Sequence, residues 1–463
     1  MYKKPYHVHF IGIGGIGMSG IAQVLLHQGY IVSGCDAQAD QKSCQQLKKQ
    51  GGFIYQGNNT PACDDSSINC VVYSTAITHT HPELIRARER NIPTLHRAEM
   101  LAELMRSRYG IGVSGAHGKT TTTGMIAHLL LSAELDPSII IGGFLRTIDS
   151  NAHAGTGQWF VAEADESDRS FLTLPSTIAV VTNIDKEHLE TYRDMDDIIA
   201  TFTQFITQIP AYGCAVLCTD NEPLRALIPT LNKRVITYGF SDDAHIRGTA
   251  ITCDATTSSC TVMRGIQELG TLTLPMPGMH MLQNALASVA VGLELDIPFA
   301  TIARALQTYP GIERRFSYHG TFNGAAVYDD YGHHPNEIIP TIAMARTRTT
   351  GKLILVFQPH RYSRIQGLWS EFIETLGTLP VNQLIMTDLY SAGETPITDI
   401  DTHHLIDAIK NRHAAAPIVY APYTSDHEAL KTTIAAYAHH NDLVLLMGAG
   451  SIYTLAQTLC NET

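Results

Sequence analysis

The fold is decided by the stretch Ser114-Gly115-Ala116-His117-Gly118-Lys119-Thr120-Thr121-Thr122-Thr123, which lies between two apolar runs. The run before it, residues 109–113, is typical of a buried strand, and the run after it, residues 121–133, is typical of a helix. A glycine turn between a strand and a helix leaves backbone N–H groups unpaired, and these groups and the helix dipole attract phosphate. Lys119 can reach a β- or γ-phosphate and the Thr120 hydroxyl can hold Mg²⁺, so the stretch predicts a triphosphate loop of the shortened form Gly-x-x-Gly-Lys-Thr. The alternative is an ordinary glycine turn with a lysine on the surface.

A second glycine-rich turn, Gly12-Ile13-Gly14-Gly15-Ile16-Gly17, lies near the start of the chain. It follows a predicted strand at residues 7–11 and precedes a predicted helix at residues 18–28. Asp36 lies roughly 20 residues farther on, where dinucleotide-binding folds place an acid that binds ribose. This context predicts a diphosphate ligand, but it leaves NAD and a UDP-sugar open because the same helix N-terminus can bind either. A turn without a ligand is the alternative.

Acidic residues follow two of the strands predicted after the triphosphate loop. Glu163-Ala164-Asp165-Glu166-Ser167-Asp168 ends a strand that starts at Trp159, and residues 177–181 lead to Thr182-Asn183-Ile184-Asp185-Lys186-Glu187-His188. Oxygen ligands beside a phosphate loop are what Mg²⁺–nucleotide chemistry requires, and histidine is a less usual ligand of Mg²⁺. We therefore predict a magnesium–nucleotide site here, with a solvated acidic loop as the alternative.

Polar residues also follow each strand predicted in the last third of the chain. Asp329 and Asp330 come directly after such a strand, and three arginines, Arg315, Arg361 and Arg364, lie near strand starts or ends. Open parallel sheets bind ligands at the carboxyl ends of their strands. The arginines therefore predict an anion pocket at this edge.

Length and composition set the class of protein. A chain of 463 residues, of which 44% are hydrophobic and 16% charged, is long enough for two to four folded domains. The net charge of −12 excludes broad nucleic-acid binding, which needs a basic surface. The nine cysteines include no Cys-x-x-Cys pair and predict unpaired thiols in a reducing cytoplasm. No apolar run approaches the roughly 20 residues of a transmembrane helix, so we expect no membrane insertion.

These patterns predict an α/β protein of three domains. Residues 1–107 form a Rossmann-like N-terminal domain, residues 108–312 a central domain like the P-loop ATPases, and residues 313–463 a Rossmann-like C-terminal domain. In the central domain, alternating runs at 215–218, 235–238 and 261–263 predict an antiparallel patch added to a parallel sheet.

Seven motifs, in this order along nearly the whole chain, resemble those of the Mur ligases, the ATP-dependent amide-forming enzymes of peptidoglycan synthesis. The motifs are Gly12-Ile-Gly-Gly-Ile-Gly-Met-Ser-Gly20, Gly115-Ala-His-Gly-Lys-Thr-Thr-Thr122, Glu163-Ala-Asp-Glu-Ser-Asp168, Thr182-Asn-Ile184 with His188, Arg314-Arg-Phe316, Asp329-Asp-Tyr-Gly-His-His-Pro335 and Gln358-Pro-His-Arg-Tyr-Ser-Arg364. The resemblance implies that ATP drives the joining of L-alanine to the lactyl carboxylate of UDP-N-acetylmuramate through an acyl phosphate, with release of ADP and phosphate. This reaction is the first amino-acid addition to the precursor of the cell wall. The resemblance also implies that the protein is cytoplasmic, is a monomer or homodimer, and uses Mg²⁺ or Mn²⁺.

The resemblance also implies four groups of site residues. Residues that bind ATP are Gly115, Ala116, His117, Gly118, Lys119, Thr120, Thr121, Asn284, Arg315 and Asp330. Residues that bind the UDP-sugar are Gly12, Gly14, Gly15, Ile16, Gly17, Asp36, Ser74, Thr75 and Ala76. Residues at the amino-acid site are Tyr331, His333, His360, Arg361 and Arg364. The metal ligands are Thr120, Glu163 and His188, and the catalytic set is Lys119, Glu163, His188, His333 and His360, with His333 or His360 as a candidate general base.

Ala116 stands where the family usually has threonine, and Met281 stands where asparagine follows the histidine of a Gly-x-His-Asn motif. Several relatives use a carbamylated lysine shortly after the metal-binding histidine, but no lysine occurs from 189 to 232, so we predict no such modification. Three other functions stay open. They are a sister ligase that recycles murein tripeptide, an NAD(P)-dependent oxidoreductase built on the first glycine turn, and a protein that senses nucleotides without catalysis.

Overall fold

A computed structural model describes residues 6–60, 64–188, 191–412 and 414–460 of the chain. Its strands form three separate sheets, of five, ten and six strands, which follow one another along the sequence. Each sheet alternates with helices and is mostly parallel. The predicted α/β class with three sheet-centred units is confirmed.

The first sheet has the strand order β3-β2-β1-β4-β5 and is parallel throughout. Its central strand is fully buried, because a parallel sheet is covered by helices on both faces. The strands are β1 (His7–Ile11), β2 (Ile31–Asp36), β3 (Phe53–Gln56), β4 (Ile68–Tyr73) and β5 (Thr94–His96). The helices are α1 (Ile16–His27), α2 (Lys42–Lys49), α3 (Pro82–Glu89) and α4 (Arg97–Met105). Helix α1 begins two residues before the predicted helix.

The second sheet has the order β15-β14-β13-β12-β11-β10-β6-β9-β7-β8. Its strands are β6 (Tyr109–Ser114), β7 (Ser138–Leu145), β8 (Ser150–His153), β9 (Trp159–Glu163), β10 (Ser176–Val181), β11 (Cys214–Cys218), β12 (Val235–Gly239), β13 (Ile246–Cys253), β14 (Ser258–Arg264) and β15 (Gln267–Leu274). Its helices are α5 (Lys119–Ser132), α6 (Met195–Thr207), α7 (Glu222–Leu227), α8 (Met279–Glu294) and α9 (Phe299–Gln307). The predicted triphosphate loop therefore lies between β6, near the middle of the sheet, and α5.

The antiparallel patch was predicted in part wrongly. Residues 215–218 lie in β11, which pairs in parallel with β10, and residues 235–238 lie in β12, which pairs in parallel with β11. Only the run at 261–263 lies in an antiparallel ladder, formed by β13, β14 and β15. Strand β11 is buried along its whole length, as expected for a strand inside a parallel sheet.

The third sheet has the order β16-β17-β21-β18-β19-β20, and only β16 runs antiparallel to its neighbour. Its strands are β16 (Ser317–Phe322), β17 (Ala325–Asp330), β18 (Leu353–Phe357), β19 (Gln383–Met386), β20 (Ile418–Tyr420) and β21 (Leu443–Met447). Its helices are α10 (Pro335–Thr347), α11 (Tyr362–Gly367), α12 (Trp369–Thr378), α13 (Thr402–Arg412), α14 (Glu428–Tyr437) and α15 (Thr454–Cys460).

The apolar core divides the molecule differently from the sheets. One continuous cluster of buried side chains runs from the first sheet into the second, whereas the third sheet has two clusters of its own. The first two units are therefore packed as one body. The third unit is joined to them by the residues just before β16, where Arg314 and Phe316 have positive φ angles of 61° and 47°. Among the described residues, no helix is both long enough and apolar enough to cross a bilayer, and no disulfide bond occurs.

Candidate active site

One large cleft, of about 1200 Å³, lies where the carboxyl ends of strands from all three sheets meet. Most of the site residues expected from the sequence line it. Those lining it are Gly14, Gly15, Ile16, Gly17, Thr75, Ala76, Ala116, Gly118, Lys119, Thr120, Glu163, His188, Arg315, Tyr331, His333, His360, Arg361 and Arg364. The expected residues outside the lining are Gly12, Asp36, Ser74, Gly115, His117, Thr121, Asn284 and Asp330.

The triphosphate loop is shaped by two glycines with positive φ, Gly115 at 133° and Gly118 at 80°. A Cβ atom on Gly115 would lie 2.1 Å from the hydroxyl oxygen of Thr182, and one on Gly118 would lie 2.8 Å from Oδ1 of Asn284. Only glycine fits at either position. No side chain caps the N-terminus of α5, so its first N–H groups point into the loop and can bind an anion.

Lys119 begins α5 and has three partners. Its Nζ donates to the carbonyl oxygens of Gly115, at 2.6 Å, and Ala116, at 3.1 Å, and to Oε1 of Glu166 at 2.6 Å. Burial by itself lowers the pKa of Lys119, but the negative charges of Glu166, Glu187 and Asp165 outweigh burial and raise it. The side chain is therefore a fixed cation beside the loop.

Glu163 ends β9 and faces the loop from the neighbouring strand. Thr120 Oγ1 donates to its Oε1 at 3.0 Å, and the Gly142 N–H donates to its Oε2 at 2.9 Å. Burial raises the pKa of Glu163, although the charge of Lys119 acts in the opposite direction. Thr120 and Glu163 thus present a hydroxyl and a carboxylate oxygen at one point, which is an oxygen donor set of the kind that Mg²⁺ prefers.

His188 lies against two carboxylates other than Glu163. Its Nε2 is 3.5 Å from Oε1 of Glu166 and 3.6 Å from Oε2 of Glu187. One ligand atom from each of these three side chains lies within 4.8 Å of the others, so together they can hold a cation. The structure therefore joins His188 to Lys119 through Glu166, rather than directly to Glu163.

His117 connects the triphosphate loop to the third unit. Its Nε2 is 3.0 Å from Oδ2 of Asp185, and its Nδ1 is 3.9 Å from Oε1 of Glu337 in α10. Burial lowers the pKa of His117, but these two carboxylates outweigh it and raise the pKa to about 10. Asn336 in α10 also donates to Asp185. A charged imidazole thus holds two acids together across the boundary between the second and third units.

The glycine turn of the first unit is held by its own acid. The N–H of Gly14 donates to Oδ2 of Asp36 at 2.8 Å, and the N–H of Gln38 donates to Oδ1 at 2.8 Å. The carboxylate that the sequence suggested for ribose therefore braces the turn. Helix α1 has no side-chain cap, so its N-terminal N–H groups face the cleft. Arg97 lies beside Gly17, and its Nη2 is 3.1 Å from Oδ2 of Asp165 in the central unit.

The third unit contributes a half-buried arginine, Arg315, and a buried acid, Asp330. Nη1 of Arg315 is 3.8 Å from Oε1 of Glu337, and its guanidinium lies 5.2 Å from the centre of the Tyr331 ring. Asp330 accepts hydrogen bonds from the N–H groups of Phe316 at 2.9 Å and Gly332 at 2.7 Å. Burial raises the pKa of Asp330 to about 6, against the effect of Arg315.

Two histidines and two arginines lie on the far side of the cleft. The rings of His333 and His360 are 5.3 Å apart, and His360 Nδ1 is 3.1 Å from Nη1 of Arg364. Burial, and then the charge of Arg364, lower the pKa of His360 to about 3, and burial lowers that of His333. Both imidazoles are therefore neutral near neutral pH. Arg361 has a φ of 66°, which is rare for a residue with a side chain and points to local strain at this site.

Three family models match successive parts of the chain. They are the Mur ligase family catalytic domain over residues 7–109, the Mur ligase middle domain over 113–292 and the Mur ligase glutamate ligase domain over 314–450. The chain belongs to the Mur ligase family. This confirms the resemblance that the seven motifs indicated.

Individual relatives within this family match the chain over nearly its full length. The chain is 45% identical to the UDP-N-acetylmuramate–L-alanine ligase of Desulfatibacillum aliphaticivorans, over 99% of both proteins. It is 46% identical to the protein of the same name from Geotalea uraniireducens (strain Rf4), over 100% of this chain and 99% of the relative. Among solved structures, the UDP-N-acetylmuramate–alanine ligase of Thermotoga maritima matches with a TM-score of 0.81 at 25% identity, over 98% of each chain.

In this Mur ligase, the structure adds acids that the sequence did not assign to the site. Glu166, Glu187 and Glu337 each lie within 4 Å of a cationic or imidazole group at the cleft. A signal was present for Glu166 and Glu187, since both belong to the polar runs that follow β9 and β10. None was present for Glu337, which lies inside a helical pattern and reaches the cleft only because α10 points its N-terminus there.

Proposed function

We propose that this Mur ligase joins L-alanine to the lactyl carboxylate of UDP-N-acetylmuramate and converts ATP to ADP and phosphate. One observation carries the proposal: two glycine turns, each at the uncapped N-terminus of a helix, open into a single cleft. A protein with two anion sites facing each other can bring a nucleotide-linked acid to a triphosphate. The relatives that match over their full length carry the name of this reaction. We also propose that the domains divide after residues 107 and 312.

ATP occupies the triphosphate loop in this proposal. The backbone of residues 115–121 surrounds the phosphates, and Lys119 neutralises them once it leaves its contacts with the loop carbonyls. Asn284, whose amide lies against Gly118, together with Arg315 and Asp330, completes the nucleotide site. The contacts of Asp330 with two backbone N–H groups support a role for it in shaping the ribose-binding segment.

Magnesium would be held by Thr120, Glu163 and His188. The donor set fits the ion, because the Thr120 hydroxyl and the Glu163 carboxylate converge at 3.0 Å and Glu163 is half-buried at the edge of the cleft. When bound, the ion would offset the negative charge of the phosphate oxygens. Glu166 and Glu187 supply further carboxylates beside His188.

The UDP-sugar occupies the first glycine turn. Gly12, Gly14, Gly15, Ile16 and Gly17 form the diphosphate site, and Asp36 keeps the turn in shape through the Gly14 N–H. Ser74, Thr75 and Ala76 follow β4, the next strand of the same sheet, and two of them line the cleft. A ligand held here extends toward the triphosphate loop.

The amino acid binds among Tyr331, His333, His360, Arg361 and Arg364. Two guanidinium groups attract its carboxylate. The neutral ring of His333 donates from Nδ1 to the Tyr331 carbonyl oxygen at 3.0 Å, so its Nε2 can accept a hydrogen bond from the amine. Nδ1 of His360 already accepts from Arg364, so of the two candidate bases His333 is the better placed to receive a proton as the amine attacks.

The reaction proceeds by activation and then substitution. A carboxylate is a poor electrophile, so a lactyl oxygen first attacks the γ-phosphorus of ATP, the bond to the β-phosphate oxygen breaks, and ADP leaves. The amine nitrogen then attacks the carbonyl carbon of the acyl phosphate and loses a proton. The tetrahedral intermediate collapses to the amide and expels phosphate. Lys119 and the arginines stabilise charge at each step without forming covalent bonds.

Phosphate release in the presence of ATP, Mg²⁺ and UDP-N-acetylmuramate tests the proposal, with amino acids supplied one at a time. We expect turnover with L-alanine, and glycine and L-serine measure how strict the site is. Turnover with murein tripeptide but not with single amino acids would instead identify the recycling ligase. A change in NAD(P)H absorbance without ATP would identify an oxidoreductase.

A matched pair of variants assigns the chemistry to the cleft. Glu163→Gln keeps the volume of the side chain but removes its charge, so turnover should fall at least about 100-fold and need more Mg²⁺. Glu268→Gln makes the same change at an exposed position of β15 and should leave turnover unchanged. Equal activities of the two variants would contradict the role of Glu163.

A further inference from the structure

Asn151 lies in the contact between the first and second units and is completely buried. It belongs to β8, at the edge of the central sheet, and faces helix α1 of the N-terminal unit. Its side-chain nitrogen donates to the carbonyl oxygen of Ile16 at 2.5 Å and to the hydroxyl of Ser19 at 3.0 Å. Its Oδ1 accepts from Nε2 of Gln23 at 2.9 Å.

All three hydrogen bonds of this side-chain amide are therefore directed across the boundary between the two units. A primary amide has two N–H donors, and both are used, each on a different residue of α1. The contact is close, since a Cβ atom on Gly20 would lie 3.2 Å from Nδ2 of Asn151. Buried polar groups that are fully satisfied fix one relative placement, because any rotation would leave several of them unpaired.

The residues on the two sides of this contact lead to the two anion sites. Ile16 belongs to the glycine turn, so its carbonyl moves with the diphosphate-binding N–H groups. Asn151 precedes Ala152, which pairs with Ile140 in β7. Two residues along β7, the N–H of Gly142 donates to Glu163, which in turn accepts from Thr120 of the triphosphate loop. A short and rigid path thus joins one anion site to the other.

We propose that Asn151 is a positioning residue that sets the distance and angle between the diphosphate turn and the triphosphate loop. The inference rests on the proposed function, in which the diphosphate end of one substrate is held in the first unit while its carboxylate reacts in the second. Because the held end and the reacting end are far apart, a small rotation of the turn is amplified at the carboxylate. A misplacement of about 1 Å there costs on the order of 100-fold in rate.

The test compares Asn151→Ala and Asn151→Asp with Ser150→Ala. The alanine variant removes all three hydrogen bonds, and the aspartate variant turns a carboxylate oxygen toward the Ile16 carbonyl. Ser150 is the neighbouring residue in the same contact, but its hydroxyl donates to Gln23 at 2.8 Å and accepts from the Ala152 N–H at 3.3 Å, and neither of these partners belongs to the glycine turn. Each variant is assayed below its melting temperature, together with calorimetric affinities for ADP and for UDP-N-acetylmuramate alone.

We expect kcat of both Asn151 variants to fall by about 10- to 100-fold, whereas each binary affinity changes by less than about threefold. Ser150→Ala should stay within about threefold of the wild type in every measurement. A role limited to stability would lower the melting temperature without changing kcat of the folded enzyme.

Three results would overturn the role of Asn151. They are an unchanged kcat in the folded variants, a loss of kcat matched by an equal loss of affinity for the UDP-sugar, and an equal loss of kcat in Ser150→Ala. Failure of the wild type itself to turn over would instead overturn the proposed function, so the two failures are distinguishable.

Discussion

Replacing Lys119 with methionine should damage stability and activity for two different reasons. In the folded protein, the Lys119 ammonium is 2.6 Å from Oε1 of Glu166, whose side chain is only 3% exposed. Methionine leaves that carboxylate buried with weaker partners, the Ser114 hydroxyl at 3.4 Å and His188 Nε2 at 3.5 Å. Removing one member of a buried ion pair typically costs 3–5 kcal/mol, and these remaining partners favour the lower end, about 3 kcal/mol.

The double variant Lys119→Met with Glu166→Gln separates the two effects. It removes both charges at similar volume, so its stability should return to within about 1 kcal/mol of the wild type. Its turnover should stay as low as that of Lys119→Met, several orders of magnitude below the wild type, because the lost charge acts on the phosphoryl oxygens. Stability would then be restored without activity.

Tryptophan fluorescence in urea measures the stability of the relevant unit. The chain has two tryptophans, and Trp159 lies at the start of β9 while Trp369 lies in α12 of the third unit. A Trp369→Phe background therefore reports on the central sheet alone. The reasoning would be refuted if Lys119→Met were as stable as the wild type, if the double variant were as unstable as the single one, or if the double variant regained turnover.

Two further predictions concern the loop and the pH dependence of stability. Gly118→Ala should raise the Kd for ADP at least about tenfold, because φ is 80° and the new Cβ would lie 2.8 Å from Asn284. The control Gly57→Ala, at φ 106° with nothing within 4 Å of the new Cβ, should cost only about 1 kcal/mol of stability and leave the affinity for ADP unchanged. Equal affinities of the two variants in a calorimetric titration with ADP would contradict this prediction. His334 is buried, and burial together with the charge of His117 lowers its pKa to about 4, so the unfolded chain takes up a proton first and stability should fall as pH drops from about 6.5 toward 4. His334→Asn, which keeps a side-chain acceptor for the Asn336 N–H, should lose less stability over that range, and melting curves that stay parallel from pH 7 to 4.5 would exclude this role of His334.

Much of the site could be predicted because the residues that form it lie in short contiguous segments of the sequence. The triphosphate loop consists of a strand, a turn and a helix that are contiguous, and the turn needs glycine at two positions of positive φ. The same holds for the turn that begins at Gly12. The polar residues after β9, β17 and β18 could be assigned to one edge because parallel strands present their carboxyl ends together.

The partners of these residues could not be predicted, because they depend on which elements pack together. Hydrophobic periodicity shows that one face of an element is buried, but it does not show which element packs against that face or which strand pairs with it. The runs at 215–218 and 235–238 were therefore assigned to the antiparallel ladder, although they lie in parallel strands. The sequence assigns Asp36 to the UDP-sugar site, but only the structure shows that its carboxylate accepts from the Gly14 N–H, 22 residues earlier.

By itself, the sequence determined the three α/β units, the two anion-binding turns and the family. Only the tertiary structure decided that Glu166 pairs with Lys119, 47 residues away, and that Asn151 reaches Ile16 across 135 residues. The physical reason is that turns and helix ends follow from local backbone preferences. A contact between distant segments forms only when the whole core brings them together and repays the entropy of closing the chain between them.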